Sequence, residues 1–425
     1  MLRAGLMMRS VFVANITFIV TGRGAAPGQY ETSTIDVRPM KILLVHNRYQ
    51  QKGGEDSVVE SEQKLLAENG MDVELLETNN DRIVGIKGKL DAALSAFYSR
   101  SGVDMVRRAI ERTRPDVMHV HNWFPTLSPG IFWASKEMKV PVVHTLHNYR
   151  LLCAKASFYR DGQVCEDCIG TRFRTSGIVH GCYRGSRSGT AVATAGMLFH
   201  WRRGTWHKAV DKFIALSEFA KKKLVEGGLP EEKIIVKANC LDYDPGMRSG
   251  DGGYFLYIGR LTEEKGVPTL LQCWKNGPEL PLLRVAGAGP LEEEVMEASK
   301  ALRNLEWLGS RSGTEVLDLM GKAKALICPS VWYEGMPRVV IEAMAVGTPV
   351  IASDIGTYPE MITPGKNGML FEAGQASAMH ACLQEFIGYG DHFRWREQAR
   401  NEFLACYSPE VNLRSLQAIY EQATG

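Results

Sequence analysis

From Lys41 onward, short apolar runs alternate with stretches of helical periodicity, and after one interruption the alternation begins again. Strand patterns fall at 41–46, 72–76, 117–121, 141–146 and 213–216, with helical stretches that include 55–68, 101–113 and 127–137. This order predicts parallel sheets, because parallel neighbours need a long crossover and a helix supplies one. A turn-rich segment, Leu241-Asp242-Tyr243-Asp244-Pro245-Gly246 through Gly252-Gly253, breaks the pattern and marks a domain boundary. Beyond it, strand patterns at 254–258, 282–286, 305–308, 324–328 and 349–352 alternate with helices near 265–275, 290–301, 313–322 and 337–346. Helical stretches near 376–387, 391–406 and 409–423 close the chain. Two doubly wound α/β domains follow, 40–245 and 246–390, with ligands expected at the carboxyl ends of the strands, where the domains face each other across a cleft.

Composition excludes several other classes. The 50 basic and 48 acidic side chains of the 425 residues balance to +2, unlike a general nucleic-acid binder, and no recognised nucleic-acid module is present. Nine cysteines are too few for a disulfide scaffold and read as reduced thiols. No apolar run reaches the roughly 18 residues that a spanning helix requires. Arg3 and Arg9 before the apolar stretch Val11–Val20, with small residues at 24–26, have the outline of a signal peptide. Met40-Lys41-Ile42-Leu43-Leu44-Val45 nevertheless reads as a start followed at once by a buried strand. Residues 1–39 are therefore expected to be an extension outside the fold.

Chemistry concentrates in Val331-Trp332-Tyr333-Glu334-Gly335-Met336-Pro337-Arg338-Val339-Val340-Ile341-Glu342. Pro337 suits a first helical position and Gly347 the residue past the helix end. The Glu334 loop then opens on a helix N-terminus, where free N–H groups and the helix dipole favour an anion. Upstream, Tyr257-Ile258-Gly259-Arg260-Leu261-Thr262-Glu263-Glu264-Lys265 places a strand, a glycine turn and two cations five apart before a helix. Fixed Arg and Lys can neutralise phosphate charge without metal, although taken alone such a pair is usually solvated surface. Val285-Ala286-Gly287-Ala288-Gly289-Pro290 is a further glycine turn, weak by itself. In the first half, Gln51-Lys52-Gly53-Gly54-Glu55-Asp56 opens a helix with adjacent glycines, which let backbone approach a ligand. It is not G-x-G-x-x-G, which weakens a nicotinamide-cofactor reading. Met118-His119-Val120-His121 ends a strand, and by alternation His119 reads as the packed one. His147, beside Asn148, Tyr149 and Arg150, is a second cleft candidate.

Two glutamates eight apart around Gly-x-Pro, followed by Ala-x-Gly-x-Pro-Val-Ile-Ala-Ser, resemble the retaining family 4 glycosyltransferases of the GT-B fold, also called glycosyl transferases group 1. The resemblance spans about 41–423 and is strongest in the second half. It implies two Rossmann-like domains facing a deep cleft, the first holding the acceptor and the second a nucleotide sugar, with 391–425 crossing back to the first. It implies that Glu334 lies beside the donor sugar, that Glu342 binds the ribose, and that Gly335, Met336 and Pro337 contact sugar and phosphate through backbone. Arg260 and Lys265, beside Gly259, would stabilise the diphosphate, His121 would hydrogen-bond the sugar, and Gly53 and Gly54 would close on donor and acceptor. No catalytic metal is implied. The implied acceptor is a saccharide or a lipid-linked saccharide in glycan biosynthesis, and the need for a cytosolic donor implies the cytoplasm, including the inner face of its membrane. The hinge Ala238-Asn239-Cys240-Leu241-Asp242 departs from the family's usual Pro-Asn-Gly-type turn.

Residues 150–190 form an insertion that this pattern does not require. Cys153, Cys165, Cys168 and Cys182 are spaced C-x11-C-x2-C-x13-C, which suits a tetrahedral structural zinc, against four ordinary thiols. The other five, Cys240, Cys273, Cys328, Cys382 and Cys406, read as core thiols. Residues 171–210 carry Arg or Lys at 172, 174, 184, 187, 202, 203 and 208 with no acid, interleaved with Met197, Phe199, Trp201 and Trp206. Such a segment suits contact with an anionic membrane or a solvated basic face. Asp242-Tyr243-Asp244 looks like a metal-binding Asp-x-Asp but reads as a structural turn. Two other functions stay open at this point: a nucleotide-sugar epimerase on the same fold, and a non-catalytic zinc-stabilised binding module.

Overall fold

The computed structural model describes residues 39–48, 53–79, 95–171, 173–250, 252–389 and 392–425. Almost all of the 1–39 extension, Gln51 and Lys52 of the glycine loop, and Arg172 of the basic segment lie outside the described residues.

The first domain is built on β1 (Lys41–Arg48), β2 (Asp72–Asn79), β3 (Val117–Val120) and β4 (Val142–Leu146). A two-residue hairpin in the insertion follows, β5 (Tyr159–Arg160) with β6 (Gln163–Val164), and then β7 (Lys212–Ala215) and β8 (Ile234–Val236) complete the domain. Apart from the hairpin these strands form one parallel sheet, ordered β2-β1-β3-β4-β7-β8. The second domain contains β9 (Phe255–Ile258), β10 (Leu283–Ala286), β11 (Leu305–Gly309), β12 (Ala325–Cys328), β13 (Val350–Ser353) and β14 (Gly368–Phe371). Its parallel sheet runs β11-β10-β9-β12-β13-β14. Strand order reverses direction at β1/β3 and at β9/β12, and a doubly wound sheet opens a crevice at such a point.

Alternation along β1 shows why both faces must be covered. Leu43 and Val45 pack with Val106, Met118, Phe132 and Trp206, whereas Ile42 and Leu44 face the opposite way, onto Leu416, Ile419 and Tyr420. The latter three belong to the terminal helix Pro409–Thr424, which returns to the first domain. That crossing is narrower than expected. The helix His392–Glu402 stays on the second domain through Trp395 and Ala399, and so do Phe403 and Tyr407 of the π-helical turn that follows.

The domains also touch directly. Glu360 accepts backbone hydrogen bonds from Glu218 and Phe219 at the start of the helix Glu218–Glu226. This places an acid at the positive end of a helix. Ser217 Oγ and Thr357 Oγ1 are 3.0 Å apart, and Phe219 meets Tyr333 edge-on with ring centres at 4.6 Å.

Candidate active site

On the second-domain side, Glu334 follows β12 and is held in a dense cage. Its Oε1 accepts from Lys265 Nζ at 2.7 Å, Ser330 Oγ at 2.7 Å and Trp332 Nε1 at 2.9 Å. Burial alone would raise this carboxyl, but the Lys265 charge and the three donors hold it below its ordinary value. Lys265 also lies over the Trp332 ring, 5.6 Å from its centre. Thr357 Oγ1 donates to the carbonyls of Glu334 and Gly335, fixing the loop backbone. Gly335 is required by close approach: a Cβ there would stand 2.9 Å from the carbonyl oxygen of His147 in the other domain.

The loop leads into the helix Arg338–Ala345, with Pro337 as the residue that precedes it rather than its first member. Gly347 ends it at φ 76°, as a glycine past a helix terminus can. Glu342 sits one turn along from Arg338, whose Nε donates to Glu342 Oε1 at 3.1 Å. Burial pushes Glu342 up, and Arg338 opposes the rise. The Arg338 Nη1 also reaches Ser61 Oγ of the first domain at 3.1 Å.

A cavity of about 420 Å³ joins these parts. Lys265, Pro337, Arg338 and Glu342 border it with Gly259 on one side, and Gly54 of the first domain faces them. A side chain added at Gly53 or Gly54 would meet nothing within 4 Å, so packing does not explain either glycine. Arg260 is not among the groups that border this space. It is 62% exposed, with Glu264 3.6 Å away. Arg311, Gly313 and Val316 border the cavity and were missed. A signal was present: Ser312 and Glu315 form a capping box directly after β11, which aims that helix start at the cleft.

In the first domain, His119 is a satisfied core residue, bonded to Tyr420 OH at 2.8 Å and Thr145 Oγ1 at 2.7 Å. His121 is fully enclosed rather than presented to the cleft. Its Nδ1 lies 3.0 Å from His147 Nε2 and its Nε2 lies 3.5 Å from Glu62 Oε2. Burial lowers both His121 and His147 well below the ordinary histidine value, so both are neutral. Glu62 Oε2 and His121 Nε2 make no hydrogen bond, and a single hydrogen lies between His121 Nδ1 and His147 Nε2. Glu62, missed in the sequence, is paired at 2.8 Å with buried Lys237, which also donates to Asn412 of the terminal helix. Glu62, His119 and His121 bring ligand-type atoms within 4.8 Å of one another. The Lys237 ammonium and the committed nitrogens of His119 argue against a cation there.

Asp242 and Asp244 are structural. The first binds Lys64 Nζ at 2.9 Å and Ser61 Oγ at 3.2 Å, and the second binds Arg400. In the insertion, Cys153, Cys165, Cys168 and Cys182 all line one small cavity, although no three of their sulfurs fall within 4.8 Å of one another. Burial raises the Cys168 thiol while a backbone hydrogen bond from Gly177 lowers it. Cys406 is exposed, not a core thiol; Cys240, Cys273, Cys328 and Cys382 are buried. Among the described residues no helix is long and apolar enough to cross a membrane.

Comparison with known proteins covers both domains. The family described as Glycosyltransferase Family 4 matches residues 53–244, and Glycosyl transferases group 1 matches 247–402. An uncharacterized glycosyltransferase of Methanocaldococcus jannaschii is 28% identical over 50% of this chain and 60% of its own length. A phosphatidyl-myo-inositol mannosyltransferase of Mycobacterium leprae is 24% identical over 74% of this chain and 76% of its own. The crystal structure of an Anabaena protein, solved with UDP and glucose, shares the fold at a TM-score of 0.61 and 16% identity, covering 90% of this chain and all of that one (100%). Matches to the first three curated relatives span 36% to 60% of their lengths.

Proposed function

The chain belongs to the group 1, family 4 glycosyltransferases of the GT-B fold, and from that premise we propose that it moves a hexosyl group from a nucleotide-diphosphate sugar to a saccharide acceptor, with retention at the anomeric carbon. The observation that carries this reading is the cavity between the domains, where Lys265, Arg338 and Glu342 face Gly54 and Lys265 is held from behind by buried Glu334.

In the proposed reaction the C1–O bond to the β-phosphate breaks and a C1–O bond to the acceptor forms on the same face. The acceptor's proton passes to an oxygen of the departing diphosphate. Lys265 neutralises charge developing there, and Arg260 joins it by swinging from Glu264. Glu342 accepts from the ribose hydroxyls, and Glu334 orients the sugar through its carboxylate. His121 acts through His147, which it holds at 3.0 Å beside the Gly335 loop. No group of the chain is assigned as a covalent nucleophile.

A structural zinc in the insertion is part of the same proposal. Its support is four thiols around one cavity, a Gly177 N–H to Cys168 sulfur, and Arg160 and Arg174 close enough to offset tetrathiolate charge. Peripheral contact with an anionic bilayer is proposed for the adjacent helix Arg187–Arg203 and its approach, supported by exposed Phe173, Val179 and Phe199.

Calorimetric titration with GDP-, UDP- and ADP-sugars tests the donor site, and NMR of the product reads the anomeric configuration. Saturable binding of one donor, lost in Glu342→Ala, is expected. A folded sample that binds none of them overturns the proposal and puts the binding-module alternative first.

A further inference from the structure

A second large cavity, of about 450 Å³, lies wholly in the first domain, where the cysteine insertion meets the end of β3. It falls in the size range of small-molecule sites, about 300–1,000 Å³. Its chemistry is lopsided. Arg150, Lys155, Arg160 and Arg184 border it, with Asp161 as the one acid among its lining residues. Arg160 is spoken for, at 3.3 Å from Asp161 and 2.9 Å from Asp167. Arg150, Lys155 and Arg184 form no ion pair among the described residues. Each instead rests over a ring: Arg150 over Phe124 at 4.1 Å, Lys155 over Tyr159 at 5.2 Å and Arg184 over Tyr183 at 5.6 Å. Nε of Arg150 is enclosed with no hydrogen-bond partner.

The cavity's own acid, Asp161, is taken by Arg160. Glu55 lies near enough to Arg150 to feel its charge, yet cations outnumber acids here, so an occupant that supplies negative charge relieves their repulsion. Arg184 is held at φ 53°, sparsely populated for a residue with a Cβ, and that backbone keeps it at the cavity. Position gives the occupant its role. Arg150 also borders the small recess lined by His121, Asn122 and His147, and the His147 carbonyl meets the Gly335 loop of the other domain, so the cationic cavity lies one side chain from the interdomain contact.

We propose that this cavity binds the phosphate or diphosphate group of an acceptor, so that the enzyme glycosylates a phosphate-bearing saccharide rather than a neutral glycan. The proposal rests on the transferase reading, since it makes the cavity the acceptor's anchor. Phe124 and Tyr183, edge to face at 5.9 Å, form the apolar side on which a sugar ring or alkyl chain can lie. The phosphate could come from a soluble sugar phosphate or a lipid-linked one.

Inorganic pyrophosphate, titrated calorimetrically into the full chain, is the probe. Because the donor cavity also attracts diphosphate, the titration is run on wild type, on Lys265→Ala and on the double variant Lys155→Ala/Arg184→Asn. Asn is chosen at 184 because it tolerates a left-handed backbone. Saturable binding that survives Lys265→Ala and weakens about tenfold or more in the double variant is expected. The double variant should bind nucleotide sugar as wild type does, which also shows that it is folded. Binding lost in Lys265→Ala but intact in the double variant overturns the proposal. So does the absence of saturable binding while nucleotide sugar still binds, an outcome that leaves the transferase reading standing. A third arm uses phosphatidylglycerol vesicles. Vesicle binding that depends on Lys155 and Arg184 without any pyrophosphate binding also overturns the cavity and assigns these cations to the membrane surface.

Discussion

The ammonium of Lys265 stands 2.7 Å from Oε1 of Glu334, and that oxygen also takes hydrogen bonds from Ser330 and Trp332. A buried carboxylate so held has its pKa lowered, against burial, by the Lys265 charge. A lowered pKa gives stability that is present above the unfolded value of 4.5 and is lost as pH falls. Replacing Lys265 with Met removes the compensation and leaves burial to raise the Glu334 pKa. Turnover is expected to fall by about 10²–10³ or more. Melting temperature measured against pH should show the variant falling further below wild type as pH rises above 4.5, because the contribution of Glu334 itself is lost only on the acid side in wild type.

Glu342→Gln keeps the shape and removes the charge that Arg338 faces at 3.1 Å. If Glu342 receives ribose hydroxyls, donor affinity drops by about 1.5–3 kcal/mol, the usual worth of hydrogen bonds to a charged group. Calorimetry should show the loss in donor Kd. Unchanged affinity would remove Glu342 from the donor site.

Gly54→Ala separates folding from function. The added methyl meets no atom within 4 Å, and Ala favours a helix over Gly by up to about 1 kcal/mol. The melting temperature should hold or rise while KM for the donor rises, because the methyl enters space that the glycine leaves open. A variant with wild-type kinetics would show that ligand does not approach there.

The pair Lys237–Glu62, 2.8 Å apart with both side chains buried, is predicted to be a structural liability when halved. Lys237→Met strands a buried carboxylate and should cost about 3–5 kcal/mol in denaturant unfolding. Lys237→Met/Glu62→Leu should recover part of that loss. The double variant should still have impaired turnover, since Glu62 packs 3.5 Å from His121 and its replacement reshapes the pocket around that ring.

For the insertion, elemental analysis should find about one zinc per chain. Strong chelation should lower the melting temperature, as should Cys168→Ser, while donor affinity at Glu342 is unchanged. Metal-free protein of full stability would leave four ordinary thiols.

The fold was legible because alternation of strand and helix patterns determines a doubly wound sheet almost by itself. β8 and β14 escaped for local reasons: β8 has only three residues, too few to show a period, and β14, Gly-Met-Leu-Phe, has no β-branched residue. In the site, the motifs that carry Glu334, Lys265, Glu342 and Gly54 stand out in the sequence, but their position at the cleft was implied by the family resemblance and not by spacing. Glu62 does not stand out. It lies in an ordinary amphipathic helix, and only the tertiary approach of Lys237 and His121, 175 and 59 positions away, makes it a polar core residue. The enclosure of His121 was hidden likewise, because alternation tells which side of a strand a residue faces but not what stands there. The four cysteines were visible as a pattern, yet their convergence on one cavity depends on the turns between them.

The helix Pro409–Thr424 puts Leu416, Ile419 and Tyr420 against β1, the strand that begins the first domain. That face is thus shared between Leu66 of the helix Gly54–Glu68 and a helix that follows the whole second domain in sequence. The first domain cannot be completed before the second has been synthesised, and until then part of its apolar face stays uncovered. A truncation just before Pro409 would accordingly damage the domain farther from it in sequence and leave the nearer one largely intact.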